Sequence, residues 1–285
     1  MTARHRIVVS LENTPFFGWQ AKLFYYSCVT RLGLQPLFIV HDTGRPWEPE
    51  FYELVAAGAN VKMVPSYVID DRLPRNTAGT LLHASEMCAD DDFIVLCDPD
   101  LLFVRKVTFS SFVAGNYYCY LQYRQPSVEA AVKNLGLQRE IQCRKDPQLC
   151  CGVPYVIPTR DARRLAETWL EALDAFPQRG FTEMWTDIMY AFGLALLKLR
   201  MKVRLTHMVA TNFLPYAKLQ HDIVHYSNGD KAWDKRRFLH RQDVHGVWQP
   251  PFEAKEGTVV HEVFHQIKQA RAFYRNIACL GQDEG

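Results

Sequence analysis

The chain has 285 residues, 48% of them hydrophobic and 22% charged, ordinary for a soluble globular protein large enough to bury a sizeable core. Lys+Arg number 33 against Asp+Glu 31, for a formal charge of +2, and the longest basic run is "KRRF" at 235–238. That balance excludes an electrostatic nucleic-acid binder, and no run reaches the roughly 20 apolar residues of a membrane helix. In chain order, "RIVVSL" (6–11), "PLFIVHD" (36–42), "NVKMVPS" (60–66) and "DFIVLCD" (92–98) are short β-branched apolar runs. Near-continuous apolarity of this kind predicts strands covered on both faces. Between them lie segments with helical spacing, such as "WQAKLFYYSCVTRLG", closed by Gly33. The alternation predicts a mostly parallel sheet with right-handed crossovers.

Beyond residue 105 the pattern changes. "YYCYLQY" (117–123) and "VPYVIP" (153–158) predict further strands, as do "KVRLTHM" and "DIVHYSNGD". "TRDARRLAETWLEALDAF" predicts an amphipathic helix, with Leu165, Trp169, Ala172 and Leu173 on one face. "TEMWTDIMYAFGLALLKL" (182–199) predicts a buried helix, and a last helix runs from about 258 to 278. The expected architecture is a single α/β domain over 1–285, with a mostly parallel central sheet flanked by helices. Its nucleotide half covers about 1–105 and its acceptor half about 106–285. Eight cysteines show neither C-x-x-C spacing nor the density of a disulfide framework. The N-terminus "MTARHRIVVSLEN" reads as neither signal peptide nor anchor, so a reduced, cytoplasmic protein is expected.

The segment "FIVLCDPDLLFV" (93–104) places Asp98 and Asp100 inside an apolar run, where unpaired carboxylates cost several kcal/mol. In an extended strand residues i and i+2 share a face, and Pro99 disfavours helix at Asp98. The pair would then project from the carboxyl end of a parallel strand, where open α/β sheets bind ligands. Together they could hold a hard divalent cation with positions left for phosphate oxygens. A surface turn is the plainer alternative, since Asp and Pro are both turn residues. Against it, "LLFV" follows without a polar loop. Farther on, "IVHYSNGDKAWDKRRF" (223–238) reaches His225, a candidate third ligand, then a basic loop. Lys231, Lys235 and Arg236 are candidates for diphosphate oxygens. A core histidine before a solvated turn is the competing reading.

Asp-x-Asp ending a strand, with a later "HY-x-x-G", resembles a GT-A-fold glycosyltransferase using a nucleotide sugar. "VVSLENTPFFGWQAKLFYYS", "IVLCDPDLLFVRKV", "CGVPYVI", "MWTDIMYAFGLA" and "HYSNGDKAWDK" resemble the plant hydroxyproline O-arabinosyltransferases and peptidyl-serine galactosyltransferases, over residues 7 to 238. The resemblance implies a hexosyl- or pentosyltransferase acting with retention, a UDP-sugar donor, and a hydroxyl acceptor on a peptide or small molecule. It implies Mn²⁺ or Mg²⁺ on Asp98, Asp100 and His225. Ser10, Trp19, Gln20, Asn76, Asp98, Gly152, Lys235 and Arg236 would meet the donor, Gly152 by allowing close approach of backbone. The family's pattern has an acid directly before the Met-Tyr pair; here that position is Ile188. Asp187 and Glu183, one helical turn apart, are the nearest acids and the candidate catalytic residues.

Two rival readings stand beside this one. "VVHEVFHQI" contains H-E-x-x-H, which on a helix would make His261 and His265 zinc ligands and Glu262 a metalloprotease base. Only Asp283 and Glu284 offer a downstream third ligand. A non-catalytic sugar-nucleotide-binding module on the same fold is the other, though such a module has less need of a metal set.

Overall fold

The structure, a computed structural model, describes residues 4–68, 75–122, 125–142, 147–177, 186–211, 221–227, 233–249 and 253–280. The four apolar runs of the first hundred residues are strands β1 (His5–Glu12), β2 (Leu37–His41), β3 (Asn60–Val64) and β4 (Phe93–Cys97). Helices α1 (Pro15–Leu32), α2 (Pro49–Ala56) and α3 (Arg75–Met87) alternate with them. Helix α1 shows why the sequence breaks where it does. The Thr14 side chain accepts from Phe17 N, and Pro15 occupies the first turn, where no donor is required. Gly33 ends it in the left-handed region at φ 66°.

A seven-stranded sheet follows the order β3-β2-β1-β4-β7-β6-β8, with β6 at Ala114–Tyr117, β7 at Cys151–Pro158 and β8 at Arg204–Thr206. β1 and β4 pair in parallel from His5↔Phe93 onward, as do β2 with β3 and β6 with β8. β7 runs antiparallel to both β4 and β6. All eight residues of β7 are buried, the condition that its unbroken apolarity announced. A second, three-stranded sheet joins β5 (Leu101–Phe103), β10 (Ile223–His225) and β9 (Val209–Thr211). The central expectation, a mixed α/β fold with a mostly parallel sheet, is what the chain forms.

Three local expectations are corrected. "YYCYLQY" is not a strand: β6 ends at Tyr117 and a 3₁₀ turn covers Cys119–Gln122. The strand lies upstream, on Ala-Gly-Asn-Tyr, whose Gly115 hides the signal. A Cβ there would stand 2.1 Å from Cys151 Sγ, so β6 and β7 pack at a distance only glycine permits. "KVRLTHM" contributes only Arg204–Thr206 to a strand. Asp98-Pro99-Asp100 is not extended either. β4 stops at Cys97, Leu101 N donates to Asp98 O at 3.2 Å, and β5 begins in the other sheet. The chain needs a turn there to leave one sheet for the next. The predicted 182–199 helix is seen as Asp187–Lys198, its first residues lying outside the described ones.

Two compact units interleave along the chain. The first comprises 1–10, 65–97 and 109–207. Its core stacks Tyr155 on Phe192 at 3.9 Å, with Trp169 against Phe192 at 4.8 Å and its indole donating to Ile188 O at 2.9 Å. The second comprises 11–64, 98–108 and 208–285. Its core is aromatic: Trp19, Tyr226, Trp233, Phe238 and Phe264 pack with Leu23, Leu102 and Val224. No helix among the described residues is long and apolar enough to cross a membrane.

Candidate functional site

Asp98, Asp100, His225 and Lys235 all belong to the second unit. The antiparallel register of β5 and β10 sets His225 opposite Leu101, and Tyr226 N donates to Asp100 O at 3.1 Å. That pairing delivers the imidazole to the turn: His225 Nε2 lies 3.2 Å from Asp100 Oδ1. Lys235 arrives on a 3₁₀ turn (Lys235–Phe238) whose flanks are fixed. Trp233 is buried in the aromatic cluster, and the Asp234 side chain accepts from Arg236 N. The Lys235 ammonium contacts Asp100 Oδ2. It also lies 5.8 Å from the Tyr226 ring and 5.9 Å from the Phe16 ring, at the outer range for cation–π attraction.

Asp100, His225 and Lys235 are 4%, 7% and 8% exposed, while Asp98 is half-buried. Burial alone would raise the Asp100 carboxyl, but the neighbouring His225 and Lys235 charges hold it well below the usual carboxylate range. Asp98 goes the other way. Desolvation first, then the charge of Asp100, push it up to about 6, with His225 and Lys235 opposing. The pair thus holds one acid ionised and its neighbour poised near neutrality.

Asp98, Asp100 and His225 each present a ligand atom within 4.8 Å of the others, the one such group of three among the described residues. Two carboxylate oxygens and an imidazole nitrogen form a set that suits a divalent ion such as Mn²⁺ or Mg²⁺. The residues present therefore fit a metal. His261, Glu262 and His265 belong to no such group. His261 and His265 lie on the last helix (Val259–Leu280), where Gln269 Nε2 meets His265 Nε2 at 2.9 Å and Gln266 donates to Glu262 at 3.0 Å. Asp283 and Glu284 lie outside the described residues.

The other predicted donor residues have these surroundings. Trp19 is 0% exposed and inside the aromatic cluster, its indole donating to Phe238 O at 3.3 Å. Gln20 is buried and donates to Phe16 O at 2.9 Å, bracing the first turn of α1. Ser10 is buried and accepts from Thr80 Oγ1 at 2.9 Å. Asn76 accepts from Tyr67 N at 2.8 Å and Ser66 Oγ at 3.3 Å. Gly152 faces a ring: a Cβ there would meet Tyr118 at 2.5 Å and Met189 Sδ at 3.1 Å, so its lack of a side chain serves packing. Arg236 is exposed and forks onto Asp234 at 2.5 to 3.0 Å. Asp187 is buried at the start of its helix and accepts from Ser127 Oγ at 3.4 Å. Glu183 and Lys231 lie outside the described residues. Phe16 and Tyr226, beside the Lys235 ammonium, were not singled out from sequence. The adjacency of Tyr226 to His225 was the available signal.

No protein-family model matches the chain, and no curated protein matches it in sequence. Solved structures do. A bifunctional glycosyltransferase, WbbM, in its apo form superposes with a TM-score of 0.52 at 12% identity, over 93% of this chain and 52% of that one. The chain thus spans about half the length of WbbM. An active-site mutant of LgtC superposes at TM-score 0.50 and 14% identity, over 88% of this chain and 98% of that one. With the sheet order and the mixed strand directions above, these similarities identify the architecture as the GT-A glycosyltransferase fold.

Proposed function

We propose that the protein is a metal-dependent glycosyltransferase that moves a sugar from a nucleotide diphosphate sugar to a hydroxyl acceptor. The observation that carries this reading is the convergence of Asp98, Asp100, His225 and Lys235 at one turn, on a GT-A fold. Asp98, Asp100 and His225 would hold Mn²⁺ or Mg²⁺, which when bound offsets the charge of the diphosphate leaving group. Lys235, whose ammonium contacts Asp100, would place that charge against a diphosphate oxygen of the donor. Gln20 and Trp19 act from the interior, by fixing the turn that carries Phe16 beside that ammonium.

On the resemblance to the arabinosyl- and galactosyltransferases, the donor is a UDP-sugar and the transfer retains configuration. The bond from the anomeric carbon to the diphosphate oxygen breaks and a bond to the acceptor oxygen forms. The departing diphosphate takes the acceptor's proton, so no side-chain base is required. The same resemblance assigns Ser10, Asn76 and Arg236 to the donor, and Asp187 with Glu183 to the transferred sugar or acceptor. A peptide hydroxyl or a small molecule is the acceptor class.

The test is Mn²⁺-dependent cleavage or transfer of UDP-sugars at two pH values. Metal ligation requires an ionised carboxylate, and Asp98 titrates at about 6. At pH 5 about 90% of it carries a proton that the ion must displace, whereas at pH 7.5 nearly none does. The Mn²⁺ concentration for half-maximal activity is expected to be about tenfold higher at pH 5 than at pH 7.5. Activity that EDTA leaves intact would overturn the metal-dependent reading.

A further inference from the structure

We propose that the cavity beside Trp248 is a binding site for a phosphate-bearing ligand, separate from the Asp98–Lys235 site. The cavity, of about 290 Å³, is lined by Trp248, Gln249, Lys268, Arg271, Ala272 and Arg275. That is the size at which small-ligand sites begin. Trp248 and Gln249 follow the short helix Arg241–Val247, and the other four residues lie on the Val259–Leu280 helix.

Lys268, Arg271 and Arg275 fall at i, i+3 and i+7, so they stack along one helix face. None of them takes part in an ion pair among the described residues. The helix holds a single acid, Glu262, which accepts from Gln266 more than a turn before Lys268. Lys22, 4.9 Å from the Trp248 ring, is itself paired with Glu53. Like charges at these spacings repel one another by a few tenths of a kcal/mol per pair. The helix dipole does not repay that repulsion, because its effect is confined to the last turn and the last turn here holds no basic residue. Three cations kept around one concavity without a counter-charge among the described residues are a site for an anion.

The donor types narrow the anion. Two guanidinium forks match phosphate oxygens bidentately, and Lys268 adds a point charge. Three positive charges suit a phosphate monoester dianion or a diphosphate. Ala272 adds no bulk beside the arginines, and Trp248, with the Lys22 ammonium 4.9 Å from its ring, and Gln249, whose amide meets His245 Nε2 at 2.5 Å, complete the lining.

Inorganic pyrophosphate is the probe, titrated by calorimetry in EDTA so that no metal assists at the other site. One-to-one binding is expected, weakened at least tenfold in Arg271→Ala/Arg275→Ala. Neither arginine is buried and alanine favours helix, so the double variant is expected to fold, which its circular dichroism checks. A second arm sediments the protein with phosphatidylglycerol or phosphatidylcholine vesicles. Binding to the anionic vesicles alone, lost in the double variant, would identify a lipid headgroup as the source of the phosphate. Pyrophosphate binding indifferent to the double variant, or binding to neither probe, would overturn the proposal. Because the assay needs neither metal nor donor, its failure leaves the transferase reading standing, and the reverse holds as well.

Discussion

Asp100→Asn is expected to weaken Mn²⁺ binding at least about 100-fold and to lower turnover by about 10²- to 10³-fold, with the fold retained. Asp100 is the junction of the site. One oxygen faces His225 Nε2 at 3.2 Å, the other meets the Lys235 ammonium, and its backbone carbonyl accepts from Tyr226 N. Asparagine keeps the shape and an acceptor oxygen for Lys235, so the buried ammonium is not abandoned. Alanine would leave it unpaired, a loss of about 3–5 kcal/mol in comparable buried pairs. The amide removes the negative charge that pushes Asp98 upward, so Asp98 in this variant should titrate nearer the ordinary carboxylate range. Calorimetric Mn²⁺ titration beside thermal unfolding separates the two effects. An Asp100→Asn protein with unchanged Mn²⁺ affinity would remove Asp100 from the ligand set.

Trp19→Ala should lower unfolding free energy by about 3–5 kcal/mol. The indole is fully buried among Phe16, Tyr226, Trp233 and Phe238, with ring centroids 6.1 to 6.4 Å away. Its loss opens a cavity under the Lys235 turn and leaves the Phe238 carbonyl without the indole donor. Urea unfolding measures the effect, and Trp19→Phe measures its cause. The phenyl ring restores most of the packing, so the folded variant should bind UDP as the parent does. A stable Trp19→Ala protein that has lost UDP binding would make the indole a direct donor contact instead.

The first half of the fold was legible because its strands are buried on both faces and need only apolarity to be recognised. β6 was not, since its information is the absence of a side chain at Gly115, and that makes sense only once Cys151 is opposite. Within the site, Asp98, Asp100 and His225 were readable as residue types at telling places. What brings them together was not: it is the pairing of His225 with Leu101, across a strand order that no local pattern encodes. The turn at Pro99 shows the same limit. Asp98 and Asp100 were expected to share a strand face, yet they sit on a turn between two sheets, with ligand atoms within 4.8 Å of each other and of His225. At Gly152, expected beside the donor, an added Cβ would meet the Tyr118 ring. A lone glycine reports that something comes close, without naming what.

The most direct measurement is calorimetric titration of UDP into metal-stripped protein, with and without Mn²⁺. The account predicts saturable binding that appears only with the ion, since Asp98, Asp100 and His225 need it to accept a diphosphate. UDP binding of equal strength in EDTA, or none with Mn²⁺ present, would contradict it.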